Sequence, residues 1–151
     1  AKQKSVKAGE KAISLLEELE RAYEESNGDE LLKPNVRTYT STINAIGRSG
    51  KNPDKAEAIL ERIEAMARDG NKAVTPDVVC YNAVINAYGW SDQPGRASKC
   101  HSILQRMVEL SDSGENILAR PDIITCNSVL NACAFDEPST ESEREEIMRV
   151  M

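Results

Sequence analysis

A helical spacing that returns at a fixed step constrains this chain more than any other feature. Ala12, Leu15, Leu16 and Leu19 fall at i, i+3, i+4 and i+7, and the same spacing recurs at Ala56, Ile59, Leu60 and Ile63 and at Cys100, Ile103, Leu104 and Met107. A fourth copy, Arg144, Ile147, Met148 and Met151, keeps the apolar positions. The starts are 44 residues apart each time (56 minus 12, 100 minus 56, 144 minus 100). Such spacing is one face of a 3.6-residue helix, so each copy predicts an amphipathic helix burying one stripe. Recurrence at a fixed step along the whole chain predicts stacked units, an all-α solenoid, in preference to a single globular core.

Between these helices lies a second pattern. The segments Pro34-Asn35-Val36-Arg37-Thr38-Tyr39-Thr40, Pro76-Asp77-Val78-Val79-Cys80-Tyr81-Asn82 and Pro121-Asp122-Ile123-Ile124-Thr125-Cys126-Asn127 align at steps of 42 (76 minus 34) and 45 (121 minus 76). Each runs on into an apolar residue, Asn and Ala: Ile43-Asn44-Ala45, Ile85-Asn86-Ala87 and Leu130-Asn131-Ala132. Tyr39, Thr42, Ile43 and Ile46 again have helical spacing, so a shorter helix alternates with the longer one.

The punctuation fits. Asn35, Asp77 and Asp122 follow a Pro and precede an apolar start, which suits an N-cap whose side-chain oxygen accepts a free backbone N–H. Asn52-Pro53 and Pro94-Gly95 break the chain before the second and third long helices, and Thr140 with Glu143 has capping-box spacing. The expected helices are 8–25, 36–47, 53–69, 78–89, 95–112, 123–134 and 140–151. Leu15, Leu16, Ile59, Leu60, Ile103 and Leu104 should point inward, with the extra loop residues near 26–33, 69–75 and 112–120 on one edge. The repeated Asn44, Asn86 and Asn131 suit a shared structural hydrogen bond.

Several classes of chemistry find no support in the residues. The sequence has one His and no Gly-rich phosphate loop, and its four Cys form no CxxC pair. Cys80, Cys100, Cys126 and Cys133 each align with Thr, Ala, Tyr or Ile in other copies, so they read as packing thiols in a reducing compartment rather than metal ligands or disulfides. The acidic pairs Glu17-Glu18, Glu24-Glu25 and Glu145-Glu146 read as solvated helix faces, not as a general acid and base. No enzyme activity, metal or cofactor is expected. No apolar run approaches a membrane span and no targeting segment is seen. Opening on a second helix without its partner, the chain is expected to be a piece of a longer array.

The unit Pro76-Asp77-Val78-Val79-Cys80-Tyr81-Asn82-Ala83-Val84-Ile85-Asn86-Ala87, followed by a small-residue helix and another Pro-Asp, resembles the pentatricopeptide repeat (PPR). The resemblance covers nearly all of 1–151 as a PPR solenoid segment: the second helix of a truncated repeat (1–35), complete repeats at 36–77 and 78–122, and a partial one at 123–151. The units exceed the usual family length, the excess lying mostly between the long helix and the next Pro. By resemblance the partner is single-stranded RNA, one base to a repeat, and the setting is organellar RNA processing, stability or translation in mitochondrion or chloroplast. The resemblance also implies base selection by Thr40 with Asp77 and by Asn82 with Asp122, favouring G then U. Asn35 would close the truncated repeat and Asn127 would open the partial one. Val79 and Ile124 would clamp base faces, and Arg37 could stack its guanidinium in the same role. A helical scaffold binding a protein partner through its concave face is the other reading that stays open.

A net charge of −6 and a pI near 4.9 are unusual for an RNA binder. In the short-helix segments 34–48, 76–90 and 121–135, however, the only acids are Asp77 and Asp122, while Arg37 and Arg48 are basic. The field along such a groove should be near neutral, with affinity coming from stacking and edge contacts, and the segment alone should bind weakly.

Overall fold

The computed structural model describes residues 2–134 and holds six α-helices: α1 (Lys2–Glu25), α2 (Val36–Arg48), α3 (Pro53–Arg68), α4 (Val78–Gly89), α5 (Arg96–Asp112) and α6 (Ile123–Ala134). Short 3-10 turns at Lys72–Val74 and Ile117–Ala119 follow α3 and α5, and no strand occurs among the described residues. Helix positions agree with the periodicity to within about a residue, with one exception. α1 starts at Lys2, where the apolar stripe had suggested residue 8; the polar residues ahead of the stripe contain no breaker, so helix continues through them. The expected helix at 140–151, with Ile147, Met148, Met151 and the Thr140–Glu143 box, lies outside the described residues.

Local chemistry sets the boundaries. Asn35 and Asp77 stand in extended backbone and accept from the amides of Thr38 and Cys80, while Asp122 accepts from the Thr125 amide at 2.8 Å. Pro53 occupies the first turn of α3 behind Asn52, whose φ of 56° is left-handed, a conformation Asn tolerates better than most residues. Gly95, at φ 75°, makes the same kind of turn into α5.

Two rows result. The short helices touch directly, α2 with α4 and α4 with α6, and each long helix lies against the short helices beside it: α1 on α2, α3 on α2 and α4, α5 on α4 and α6. Between the rows runs one continuous core that includes Tyr39, Ile43, Ile59, Leu60, Ile63, Tyr81, Ile85, Ile103, Leu104 and Met107. Leu15 departs from expectation. It is 52% exposed while Leu16 is buried. Its counterparts Ile59 and Ile103 are covered because α3 and α5 have a short helix on either side, whereas α1 has only α2.

The extra residues between units are not loose loops. Val74 and Ala119, both two places before a Pro, are fully buried at the ends of their 3-10 turns, and the Asn116 amide donates to the Pro76 carbonyl at 2.8 Å. Successive long helices are joined by ion pairs: Arg62 with Glu20 at 2.7 Å, Lys99 with Glu57 at 3.0 Å, and Arg106 with the buried Glu64. The same carboxylates accept from tyrosines of the short row, Tyr39 to Glu20 at 2.8 Å, Tyr81 to Glu64 at 2.6 Å and Tyr88 to Glu57. Burial foremost raises all three phenols well above their ordinary titration range.

Close approach of the short helices depends on small residues. A Cβ added at Gly47 would stand 3.1 Å from Ala87 Cβ and 3.2 Å from its Cα, whereas one at the equivalent Gly89 would meet Ala132 Cβ at 3.7 Å, an ordinary contact. Gly47→Ala should therefore destabilise by about 1–2 kcal/mol, overpacking outweighing the gain in helix propensity. Gly89→Ala should be neutral or stabilising by up to about 1 kcal/mol. Urea unfolding of the two variants checks this, and equal shifts in midpoint would show that the α2–α4 contact has no special tightness.

Candidate nucleic-acid interface

Each short helix carries three residues at i, i+3 and i+7 on one face: Arg37, Thr40 and Asn44 on α2, Val79, Asn82 and Asn86 on α4, and Ile124, Asn127 and Asn131 on α6. Direct packing of α2, α4 and α6 brings these triplets side by side. At the helix starts the first members are open to solvent: Arg37 is exposed, Val79 is 57% exposed and Ile124 58%. The second members sit deeper where another short helix follows. Thr40 is 9% exposed and Asn82 7%, whereas Asn127, with no further short helix among the described residues, is exposed. Val79 and Ile124 are thus exposed apolar side chains at matching places on consecutive helices, with the buried Asn82 amide one turn further along α4.

The two expected selector pairs are built differently. Asn82 Nδ2 donates to Asp122 Oδ1 at 3.3 Å. A carboxylate can only accept, so the amide nitrogen must face Asp122 and the amide oxygen must face away. That oxygen is buried and has no hydrogen-bond partner, an arrangement that costs stability unless something else satisfies it. Thr40, by contrast, donates its hydroxyl proton to the Val36 carbonyl at 2.8 Å, and no hydrogen bond joins it to Asp77. Asp77 caps α4 by accepting from Cys80 N at 2.9 Å. Burial pushes the Cys80 thiol up to about 12, with the neighbouring Thr40 hydroxyl opposing the shift, so the group is an un-ionised thiol near neutral pH.

Asn35 is exposed and caps α2 in a reciprocal box with Thr38. Asn44 and Asn86, half-buried, make no side-chain hydrogen bond, so the shared structural bond expected of them is not formed; they lie on the same helix faces as Thr40 and Asn82. Glu17, Glu18, Glu24 and Glu25 are exposed, as read from sequence. Glu20, Glu57 and Glu64 were not distinguishable from such solvated acids by helix pattern alone. Their one available signal was an Arg or Lys 42 residues further on (Arg62, Lys99, Arg106), close to the repeat length. Among the described residues the cysteines form no disulfide, no cluster of His, Cys, Asp or Glu could hold a metal, and no helix is long and apolar enough to cross a membrane.

Asp122 also carries a pH signature. The Thr125 backbone N–H foremost holds its carboxyl below the usual carboxylate value against the opposing effect of burial, with lesser help from the Thr125 hydroxyl and the Asn82 amide. A depressed folded-state pKa adds stability that is fully present above the unfolded value near 3.8 and is lost as pH falls through the folded one. Urea unfolding at pH 7, 5 and 3 should show Asp122→Asn with less acid destabilisation than the parent and little change at pH 7, since Asn caps well. An unchanged acid slope would mean that the carboxylate is not held as described.

A pentatricopeptide repeat domain model matches residues 24–91 and a PPR repeat model matches 79–111. Across 101 residues, 67% of this chain, the sequence is 33% identical to a Zea mays protein, "Pentatricopeptide repeat-containing protein 10, chloroplastic", and covers 11% of that relative's length. No solved structure matches the chain.

Proposed function

Because the chain belongs to the pentatricopeptide repeat family, we propose that it binds single-stranded RNA along the face formed by α2, α4 and α6, one base to a repeat. Residues 36–77 and 78–122 act as complete repeats, with 1–35 and 123–151 belonging to repeats that are partial here. Thr40 with Asp77 selects G, and Asn82 with Asp122 selects U. Asn35 and Asn127 serve the flanking partial repeats, and Arg37, Val79 and Ile124 supply stacking surfaces. The chain works as part of a longer array, a reading supported by its match to 11% of the maize relative. That relative's printed chloroplast location supports an organellar role in RNA processing, stability or translation.

One observation carries this reading. The Asn82 amide is fixed by Asp122 with its oxygen unpartnered, next to the exposed Val79 and Ile124. Uracil presents an N3–H donor that such an oxygen accepts, while cytosine has a lone pair at the same ring position. Amide titration of the isotope-labelled chain against short RNAs carrying GU, GC or UG tests it, because chemical shifts report even millimolar binding. GU should bind best, and Asn82→Ala should erase the preference of U over C at the second base, worth about 1–3 kcal/mol for a good side-chain-to-base pair. Val79→Asp should weaken every RNA alike. With Arg37 and Arg48 as the basic residues of this face, the salt slope should be shallow, about −1 to −2 in log–log form. Absence of base discrimination in the folded parent would refute base reading and favour a scaffold that binds a protein.

A further inference from the structure

The third residue of each short helix differs in what it does to the aspartate before it. Thr125 makes a full reciprocal box: its backbone N–H and its hydroxyl both donate to Asp122 Oδ1, at 2.8 and 2.9 Å, and Asp122 N donates back to Thr125 Oγ1 at 3.1 Å. Thr38 does the same with Asn35. At the equivalent place α4 has Cys80, and the box is broken. Asp77 Oδ1 accepts only the Cys80 backbone N–H at 2.9 Å, and the fully buried thiol lies against Thr40. Asp122 is therefore fixed by both partners of Thr125 and turned toward Asn82, while Asp77 is held at one point and receives nothing from Thr40, whose proton goes to Val36.

We propose that Cys80 and Thr125 are specificity-determining positioning residues that decide how the closing aspartate of the preceding repeat is used. With Thr125, Asp122 Oδ1 is taken up by three donors and orients the Asn82 amide, which meets the base in its place. With Cys80, Asp77 Oδ1 accepts one N–H only and stays open to the base. The first repeat then presents two acceptors together, the remaining lone pair of Thr40 Oγ1 and the Asp77 carboxylate. Guanine is the base whose pairing edge carries two adjacent donors, N1–H and the N2 amino group, whereas adenine offers an acceptor at N1. The second repeat presents one oriented acceptor, the Asn82 oxygen, for the single N3–H of uracil. The difference between the repeats comes from a buried residue that does not touch the base.

This inference rests on the base reading above, and its test separates the two. The labelled chain is titrated with RNAs varying the first base (G or A) and the second (U or C), for the parent, Cys80→Thr and Thr125→Val. Threonine at 80 restores the box found at Thr38 and Thr125. It should lower the G over A preference at the first base about 3- to 10-fold, the range of one net hydrogen bond, while the second base is read as before and the melting temperature does not fall. Thr125→Val removes the hydroxyl without changing shape, and should lower the U over C preference by a similar factor while the first base is unaffected. A fall in stability without change in either preference would overturn the inference, since a residue that only caps would behave so. Should Cys80→Thr disturb the helix, Cys80→Ser supplies the same hydroxyl in less volume, and an unchanged G over A preference in it counts equally against the proposal. A parent with no preference at either base refutes the base reading itself, and this inference with it.

Discussion

Contact between neighbouring short helices governs what this molecule can do. Gly47 against Ala87 removes the side chain that would hold α2 and α4 apart, while Gly89 meets Ala132 with room for a methyl group. Packed helices lie about 8–10 Å apart, and small residues place them toward the lower end. A planar base between two side chains needs about 7–8 Å, two van der Waals separations. Residues at matching places on consecutive short helices, such as Val79 and Ile124, are thus set at about the spacing of the helices that carry them. Larger residues at 47 and 87 would widen the α2–α4 spacing.

The long row is held by different chemistry. Glu20 with Tyr39 and Arg62, and Glu64 with Tyr81 and Arg106, each link a long helix to the short and long helices of the next unit. Acids and bases pair along the long row, while the short row carries few charged residues. The acids behind the net charge of −6 lie outside the short-helix segments, apart from Asp77 and Asp122. The joint is not repeated at the next step, where Val108 (64 plus 44) and Cys126 (81 plus 45) stand in place of the carboxylate and the phenol. Breaking such a pair by removing one partner costs far more than exchanging both for apolar groups, which is consistent with acid and phenol being absent together.

Periodicity made the fold legible because the core is a repeated stripe; each helix buries the same positions and the pattern survives changes of residue type. It failed at Leu15, where burial depends on a neighbour that α1 does not have, and at the start of α1, where nothing apolar marks the helix. Cap residues were legible from Pro-Asp and Pro-Asn. Asn44 and Asn86 were misread, since identity across copies suggests a shared structural bond but does not distinguish it from a shared place on an open face. The Asn82–Asp122 bond was within reach of the register, whereas the separation of Thr40 from Asp77 was not. A threonine hydroxyl four residues into a helix can turn back to a carbonyl behind it, and only the folded rotamer says which partner it takes.

Capping commits oxygens of both Asp77 and Asp122. An N-cap carboxylate must aim at the helix start to satisfy free amides, and that aim limits the directions left for a ligand. Asn and Asp both cap well and keep a polar group beyond the cap, a second oxygen in Asp and an NH2 donor in Asn. The closing position is consequently restricted to a few residue types for reasons of stability alone. Positions 40, 82 and 127 carry no such duty and can hold residues as different as Thr and Asn. Sequence variation is therefore freest at the second place along each helix face, with the closing residue varying only within the limits its cap allows.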